Sequence, residues 1–273
     1  MILEQRIRDD TKIIFGANIR FSKDDPMTPR LSKEELERYH RQIMINDWGE
    51  EGQLKLKEAK VTVAGAGGLG NPASLYLAAA GVGRITIIDN DCYELSNLNR
   101  QVLGWQKDIG RPKVDAAREK LCALNPDINV EALKTEITAK NVRDLIRGSN
   151  VVVDAMDNWR TRFDLNSGCV EYQIPFVHAG IHGLSGQMTT IVPGEGPCLQ
   201  CIIPRPPPEI RPFPVLGATP GFFAMLQVVE VIKLILGIGR PLVGRLLLFS
   251  GEDMSCNVVQ VSRNPDCPVC GGL

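Results

Sequence analysis

Short apolar runs alternate with longer amphipathic stretches through the first part of this chain. The apolar runs, which predict buried strands, lie at 61–64, 85–89 and 151–155. Apolar residues recur with helical spacing between them, at 69–80 and 112–124. A series of strands separated by helices predicts an α/β fold with a parallel sheet and helices on both faces.

Beyond residue 175 the pattern changes to strand-like runs separated by glycine and proline turns. These runs lie at 174–179, 187–192, 245–250 and 257–262. They predict that mixed or antiparallel strands continue the same sheet. The apolar stretch 222–236 predicts a helix packed on that half, and at this length it is too short to span a bilayer.

The remaining segments suggest how the chain is divided. Residues 1–30 are charged and lack periodicity, so we interpret them as an N-terminal arm. Ser32 and Glu35 have the spacing of a capping box and predict a helix start. Residues 31–273 contain no internal repeat and are expected to form one domain. Six prolines in the eleven residues 204–214 predict an exposed loop.

Net charge and cysteine content indicate which partners and which cellular compartment suit this chain. The formal net charge of −1 gives no broad attraction to nucleic acid or to an anionic membrane. Residues 1–10 are charged and lack the apolar core of a secretory signal peptide. Eight cysteines without an export signal favour a cytoplasmic protein that binds metal through thiolates.

A glycine-rich turn follows the first predicted strand. Gly65, Gly67 and Gly70 have the spacing G-x-G-x-x-G, and Gly68 lies within the same turn. This pattern brings backbone N–H groups and a helix N-terminus close to a phosphate, so it predicts a nucleotide site. The usual meaning of the motif alone is a dinucleotide-binding fold.

Acids, amides and cations follow the second strand. Asp89 lies near the distance from the turn at which an acid meets a ribose hydroxyl, and Asp91 follows it. The next polar residues are Asn97, Arg100, Gln101 and Lys113. Cations beside the phosphates would neutralise the charge of a triphosphate, whereas a hydride-transfer cofactor does not require them. Taken alone, Arg100 and Lys113 could instead be solvated surface charges.

The third strand is followed by Asp154-Ala-Met-Asp157-Asn158. An acid at the carboxyl end of a parallel strand faces the ligand crevice, where Asp157 could hold Mg²⁺ against phosphate oxygens. The alternative is that Asp157 caps the helix that begins near Asn158.

Two C-x-x-C pairs lie far apart in the chain. They comprise Cys198, Cys201, Cys267 and Cys270. Four thiolates suit tetrahedral Zn²⁺, and a closed site of this kind would clamp the C-terminal tail to the body. A redox dithiol is the alternative for either pair.

Taken in order, these motifs are similar to those of the ThiF/MoeB/HesA family, relatives of ubiquitin-activating enzymes. The similarity runs from Arg38-Tyr-His-Arg41-Gln42 through the glycine turn, Asn97–Gln101, Lys113 and Asp154–Asn158 to the last cysteines. It implies a Rossmann-like fold that binds ATP and Mg²⁺ and a separate four-cysteine zinc site. It also implies adenylation of the C-terminal glycine of a ubiquitin-like sulfur carrier ending in Gly-Gly, as in molybdopterin or thiamine synthesis.

The resemblance also implies roles for individual residues. Asp89 would bind ribose, Asp157 would serve Mg²⁺ and the α-phosphate, and Arg41 would reach the ATP of the partner subunit in a homodimer. The expected catalytic residues are Arg41, Arg100, Lys113 and Asp157. The expected nucleotide site comprises Gly65, Gly67, Gly68, Gly70, Asp89, Asp91, Asn97, Arg100, Gln101, Lys113, Asp157 and Asn158.

One feature departs from the family pattern. Many relatives carry a cysteine on the crossover loop, whereas residues 204–220 contain none. We therefore expect the reaction to stop at an acyl adenylate, which passes to an external persulfide donor. Cys92, Cys122 and Cys169 are expected to be small buried residues, and Cys256 has no assignment. For His178 and His182, which lie near the loop, a structural role is favoured over substrate contact.

Other functions compete with this interpretation. An NAD-dependent oxidoreductase would explain the glycine turn and Asp89 but would leave Arg100, Lys113 and Asp157 without a role. A non-catalytic adaptor is disfavoured because every expected ATP position is filled. Within the same class, a small acid or a peptide terminus could replace the carrier.

Overall fold

An eight-stranded sheet forms the centre of the part of the chain that the structure describes. The structure is a computed structural model that describes residues 30–208 and 213–273. The predicted N-terminal arm lies, except for residue 30, outside the described residues, as do residues 209–212 of the proline-rich loop. The strands are β1 (Lys60–Ala64), β2 (Arg84–Ile88), β3 (Asn129–Leu133), β4 (Val151–Asp154), β5 (Phe176–His182), β6 (Ser185–Ile191), β7 (Arg245–Ser250) and β8 (Ser255–Gln260).

The sheet has a parallel half and an antiparallel half. Its spatial order is β3-β2-β1-β4-β5-β6-β7-β8, and all pairs from β3 to β5 are parallel. From β5 to β8 the pairs are antiparallel. The predicted continuation of a parallel sheet by antiparallel strands is confirmed. Strand order reverses between β1 and β4, the point at which open α/β sheets bind ligands.

Helices cover both faces of the sheet, as predicted. They are α1 (Lys33–Arg38), α2 (His40–Ile43), α3 (Gly49–Glu58), α4 (Gly70–Ala80), α5 (Lys113–Leu124), α6 (Val142–Ile146), α7 (Trp159–Glu171), α8 (Leu199–Ile202) and α9 (Ala218–Leu236). One core packs α3, α4, α5 and α9 against alternate strand residues such as Val61 and Val63. The other packs α6, α7 and α8 against residues such as Ala64 and Val152. The alternation follows from the two-residue repeat of a strand.

Helix α9 is longer than the sequence predicts. It has 19 residues because it begins at Ala218 and includes Pro220 in its first turn. Proline is tolerated there because N–H groups in the first turn of a helix have no carbonyl partner within the helix. A helix of this length with a mean hydropathy of 1.6 could cross a membrane. The prediction that this segment is too short to span a bilayer was therefore wrong. Half of its apolar window is buried. Gln227 donates to the Asp154 and Val177 carbonyls, which ties α9 to the sheet as a core helix.

The start of the described chain follows its local signals. Ser32 caps α1 by accepting from the Glu35 N–H, and Glu35 accepts from the Ser32 N–H. The predicted capping box is therefore present. Residues 31–273 form one compact unit by their internal contacts.

Candidate active site

A cleft of about 920 Å³ opens at the carboxyl ends of the parallel strands. Gly65, Asp89 and Ala155 line it directly after β1, β2 and β4 end. The residues predicted to bind nucleotide that line the cleft are Gly65, Gly67, Gly68, Asp89, Asp91, Asn97, Arg100, Gln101, Lys113, Asp157 and Asn158. Gly70 is the exception.

Two glycines let the turn after β1 approach its neighbours closely. Gly65 has φ +104°, and a Cβ there would lie 2.5 Å from the carbonyl oxygen of Ala155. A Cβ on Gly70 would lie 1.8 Å from the carbonyl oxygen of Gly65. Gly70 therefore permits packing of α4, while the half-exposed Gly67 and Gly68 line the cleft, where a phosphate could approach their backbone.

Asp89 is held in place by backbone amides. Its carboxylate accepts from the Ala66 N–H at 2.7 Å and from the Asp91 N–H at 2.8 Å. Burial raises the pKa of Asp89, and the nearby Lys113 ammonium and these two N–H groups oppose that shift. Each carboxylate oxygen accepts one of these bonds, and a carboxylate oxygen has room for a second, so a hydroxyl donor in the cleft can still be bound.

The cationic side of the cleft contains Lys113 and Arg100. Lys113 is buried at the start of α5, and its Nζ lies 2.9 Å from the exposed carboxylate of Asp91. Arg100 donates to two neutral oxygens, the Ser96 carbonyl at 2.9 Å and the Asn99 amide at 3.0 Å. Both cations can therefore turn to an anionic ligand by exchanging partners within the cleft.

The fit of a nucleotide is supported by a buried amide on the same side. Gln101 is 3% exposed, and its Oε1 has no hydrogen-bond partner among the described residues. Its Nε2 lies 3.9 Å from the point that a Cβ on Gly67 would occupy. The amide nitrogen near the glycine turn can donate to a phosphate oxygen, while the buried Oε1 needs a separate donor.

The structure distinguishes between the two interpretations of Asp157, as a residue of the cleft or as the cap of α7. Asn158 is the residue that caps α7, because its Oδ1 accepts from the Thr161 N–H at 2.9 Å. Asp157 is exposed and lines the cleft one residue earlier. The capping role that the sequence allowed for Asp157 is therefore filled by its neighbour.

A buried charged cluster beneath the loop after β4 was not predicted as part of the site. Asp154 is fully buried, and its Oδ2 lies 2.6 Å from Nδ1 of His178 and 3.5 Å from Nε of Arg162. Burial lowers the pKa of His178, and its hydrogen bond to the Asp154 carboxylate opposes that shift. The neutral ring therefore donates its Nδ1 proton to Asp154. Arg162 also donates to the Met156 carbonyl at 2.6 Å and to Ala179 at 3.1 Å.

This cluster fixes the backbone that leads to Asp157. His178 has the structural role favoured from the sequence, whereas Arg162 and His182 line the cleft. An acid ending a buried strand must be neutralised, so Asp154 followed by an arginine in the first turn of the next helix was a usable signal for Arg162.

The other half of the cleft lies over the antiparallel strands. Its lining includes backbone and side chains of the β5–β6 hairpin and of the proline-rich loop: Gly180, Ile181, Ser185, Gly186, Gln187, Pro207, Pro208, Phe213 and Val215. Gly183 at the hairpin turn donates to the Pro214 carbonyl at 2.8 Å, and its own carbonyl accepts from Thr219 Oγ1 at 2.9 Å. The hairpin and the loop are thus joined along this half.

Arg41 lies elsewhere. It is exposed on α2 and is not among the described residues of the cleft wall. Its neighbour Gln42 donates to the Ala80 carbonyl at 2.7 Å and to Gln53 Oε1 at 2.6 Å. These bonds fix α2 to the end of α4 while leaving Arg41 on the surface.

The four cysteines of the two C-x-x-C pairs converge. Their sulfurs all lie within 4.8 Å of one another, with 3.6 Å between Cys198 and Cys267 and 3.4 Å between Cys201 and Cys270. Tetrahedral zinc with Zn–S bonds of about 2.3 Å requires S–S separations of roughly 3.8 Å. The donor set and its spacing therefore fit a Zn²⁺ ion.

Backbone groups shape this cysteine cluster. Although burial raises the pKa of the Cys267 thiol, the N–H groups of Cys270 and Val269 and the neighbouring thiols lower it overall, to about 7. Leu199, beside Cys198, donates to Asn166 of α7 at 2.8 Å. The cluster thus joins the C-terminal residues to α7 and α8, and none of its cysteines lines the cleft.

The other cysteines are only partly as expected. Cys169 is buried and Cys92 is half-buried, but Cys122 is exposed, so its expected burial was wrong. The buried face of α5 comprises Lys113, Val114, Ala116, Ala117, Lys120 and Leu121. Cys122 lies about 100° beyond Leu121, off this face. Cys256 is exposed on β8.

Comparison with known proteins agrees with this geometry. The ThiF family model matches residues 39–269. The chain is 44% identical over 250 residues to the SAMP-activating enzyme E1 of Haloferax volcanii, covering 90% of this chain and 92% of that protein. It is also 44% identical over 252 residues to the sulfur carrier protein adenylyltransferase of Thermus thermophilus, covering 89% and 93%.

A solved structure extends the comparison to the fold. The structure of E. coli MccB with ATP has a TM-score of 0.75 and 28% identity, and the match covers 86% of this chain and 74% of that chain. The family match includes β1, the cleft and three of the four clustered cysteines, and ends one residue before the fourth. With its reversed strand order, its glycine turn and relatives matched along nearly their whole length, this chain belongs to the ThiF family.

Proposed function

We propose that this protein uses ATP to adenylate the C-terminal glycine carboxylate of a ubiquitin-like sulfur carrier. The observation that carries the proposal is the single cleft that joins a nucleotide end to a glycine-lined end. The names of the two relatives, an adenylyltransferase of a sulfur carrier and an E1 enzyme, support the same reaction. Pyrophosphate exchange that depends on a carrier ending in Gly-Gly tests it.

The nucleotide end would hold ATP through residues already in place. Asp89 binds ribose, and the backbone of Gly67 and Gly68 approaches the phosphates. Lys113 exchanges Asp91 for phosphate oxygens, while Arg100 turns from its neutral acceptors to the same charge. The side chains that surround the triphosphate are Asn97, Arg100, Gln101 and Lys113.

Asp157 and Asp91 are the carboxylates of the cleft wall that would hold Mg²⁺ beside the phosphates. Bound there, the ion would neutralise charge on the phosphate oxygens. The carrier carboxylate attacks the α-phosphorus, a new P–O bond forms, and the bond to the β-phosphate breaks with its electron pair leaving on pyrophosphate. No nucleophile from this chain is required, so its residues act by positioning and charge neutralisation.

The glycine-lined end would receive the carrier tail. A Cβ on Gly186 would lie 2.4 Å from the ring of Phe223, and a Cβ on Gly180 would lie 3.2 Å from Arg162. Glycine at these two positions lets the β5–β6 hairpin pack closely on Phe223 and Arg162 while its backbone lines the cleft. We propose that the extended glycine tail of the carrier lies along this backbone.

The competing functions account for less of the cleft. An NAD-dependent enzyme needs the glycine turn and Asp89, but it gives no role to Arg100, Lys113 and Asp157, which line the same cleft. A non-catalytic adaptor would likewise have no use for these three charged residues. We infer a cytoplasmic setting, in which the eight cysteines remain reduced and a persulfide-bearing protein accepts the carrier from the adenylate.

We also propose a homodimer in which Arg41 completes the partner subunit's cleft. Arg41 is exposed on α2, and α9 exposes Phe222 and Val229 to the extent of 40% and 52%. Mixing inactive Arg41→Ala and Asp157→Ala proteins should then restore about one quarter of the native sites after subunit exchange, since one cleft of each mixed dimer is intact. Pyrophosphate exchange measures the recovery, and none after confirmed exchange of subunits would refute shared sites.

A further prediction concerns covalent intermediates. None of the described residues of the cleft wall is a cysteine, and residues 204–220 contain none in the sequence. A thioester needs an accessible thiolate beside the carrier carboxylate. Mass spectrometry of the enzyme with carrier and ATP under non-reducing conditions should show no enzyme–carrier adduct. A thiol-labile adduct would contradict this, and Cys256→Ser and Cys122→Ser variants would identify its attachment site.

A further inference from the structure

One buried amide joins three segments around the nucleotide end of the cleft. Asn71, in the first turn of α4, is 1% exposed and is not part of the cleft wall. Its Nδ2 donates to the carbonyl of Ala66, inside the glycine turn, at 2.6 Å. Its Oδ1 accepts from the Leu103 N–H at 2.7 Å and from the Tyr93 hydroxyl at 3.1 Å.

The two groups bound to Oδ1 flank the polar side chains of the cleft. Tyr93 precedes and Leu103 follows the stretch 97–101, which lines the triphosphate side. Tyr93 is fully buried, and its ring packs so closely on Gly104 that a Cβ there would lie 2.4 Å from it. Gly104 in turn donates its N–H to the Gln101 carbonyl at 2.9 Å.

We propose that Asn71 is a positioning residue that sets the distance between the glycine turn and residues 97–101. The two sides already lie close together, since Gln101 Nε2 is 3.9 Å from the Cβ position of Gly67. A displacement of about 1 Å at such a site is enough to separate groups that must contact the same phosphate. Asn71 thus acts on ATP through Ala66 and Leu103 without contacting it.

The position requires both a donor and an acceptor. Asparagine supplies them in one flat group, whereas an ionised aspartate is an acceptor only and would repel the Ala66 carbonyl. A protonated aspartate could again donate to Ala66 while accepting from Leu103. An Asn71→Asp variant should therefore bind ATP better, relative to the native protein, as the pH falls through the pKa of the introduced carboxyl. Ionisation of a buried carboxyl also destabilises the fold, so the Tm is measured at each pH and the Kd is compared only where the variant is folded.

The test is titration of ATP with Mg²⁺ into the protein without carrier, and it rests on the proposed function only in taking ATP as the ligand. Asn71→Ala should raise the Kd for ATP roughly tenfold. Tyr93→Phe, which removes one bond and leaves the bond to Leu103, should raise it less. Both variants should lower the Tm slightly.

Asn125 provides a matched control within the same chain. It is also fully buried, and its Nδ2 donates to the Ala78 carbonyl and to the Tyr39 hydroxyl, both at 2.8 Å. None of these three residues lines the cleft. Asn125→Ala should therefore lower the Tm as Asn71→Ala does, while its Kd for ATP stays within about twofold of the native value.

The outcomes are distinct. Native affinity in folded Asn71→Ala, or an equal loss in Asn125→Ala, would overturn the positioning role. If Asn71→Ala does not fold, native affinity in Tyr93→Phe together with a pH-independent ratio for Asn71→Asp would overturn it instead. A native protein that binds no ATP would refute the proposed function, and the role of Asn71 with it.

Discussion

Replacing Asp157 with asparagine is expected to reduce adenylation by roughly 10²- to 10³-fold while leaving the protein folded. Asp157 is exposed on the cleft wall, and Asn158 supplies the cap of α7, so the cap does not depend on Asp157 and the change in stability should be small. Charge beside the α-phosphate matters most in the transition state, so kcat should fall more than ATP affinity. Pyrophosphate exchange and thermal unfolding measure the two effects.

Asp144→Asn is a suitable control for that experiment. Asp144 is also an exposed carboxylate, and it pairs with Arg147 at 3.3 Å away from the cleft. Exposed pairs of this kind contribute about 1 kcal/mol or less, so both Tm and exchange should stay near native values. Native exchange in Asp157→Asn would remove Asp157 from the proposed mechanism.

We propose that the four clustered cysteines hold zinc, and we expect its loss to give the largest effect on stability. Structural zinc sites in small domains have apparent binding free energies of roughly 10 kcal/mol or more, comparable with the total stability of about 5–15 kcal/mol of many domains. Cys270 lies in the core beside α7 and α8. We expect Cys270→Ser to release the metal and to lower the Tm by about 10 °C or more. Metal analysis should give one zinc per native chain.

Cys256→Ser controls for the loss of a thiol, because Cys256 is exposed on β8 and lies outside the cysteine cluster. It should retain both zinc and the native Tm. At temperatures where Cys270→Ser remains folded, its exchange activity per folded molecule should match the native value. Metal-free protein of full stability, or a disulfide between Cys198 and Cys201 in fresh material, would contradict the zinc assignment.

The parallel half of the sheet was predictable because its signals are local. Buried strands such as β1 and β4 are rich in valine, and the glycine turn at Gly65 marks the end of the first. Strand β3 was not predicted, since it lies at the sheet edge with Val130 as its one fully buried residue and has no apolar run. The short α6 lacks enough turns to show a helical repeat.

The nucleotide end of the cleft was likewise predictable from strand ends. Parallel strands bring their carboxyl ends together, so Gly65, Asp89 and Asp157 could be expected to meet without knowledge of their distances. The glycine-lined end was not predictable, because it depends on how β5 pairs with β6 and on the bond between Gly183 and Pro214. The role of Asn71 is also a tertiary property, since its partners lie up to 32 residues from it in sequence and belong to different local elements.

The most direct test of the proposed function is incorporation of labelled pyrophosphate into ATP by the purified protein. The assay compares a ubiquitin-like carrier ending in Gly-Gly with the same carrier lacking its last glycine, and NAD binding is titrated in parallel. We predict exchange with the intact carrier, little with the truncated one, and no comparable affinity for NAD. Absence of exchange with every carrier tested, together with tight binding of NAD, would contradict the proposed function.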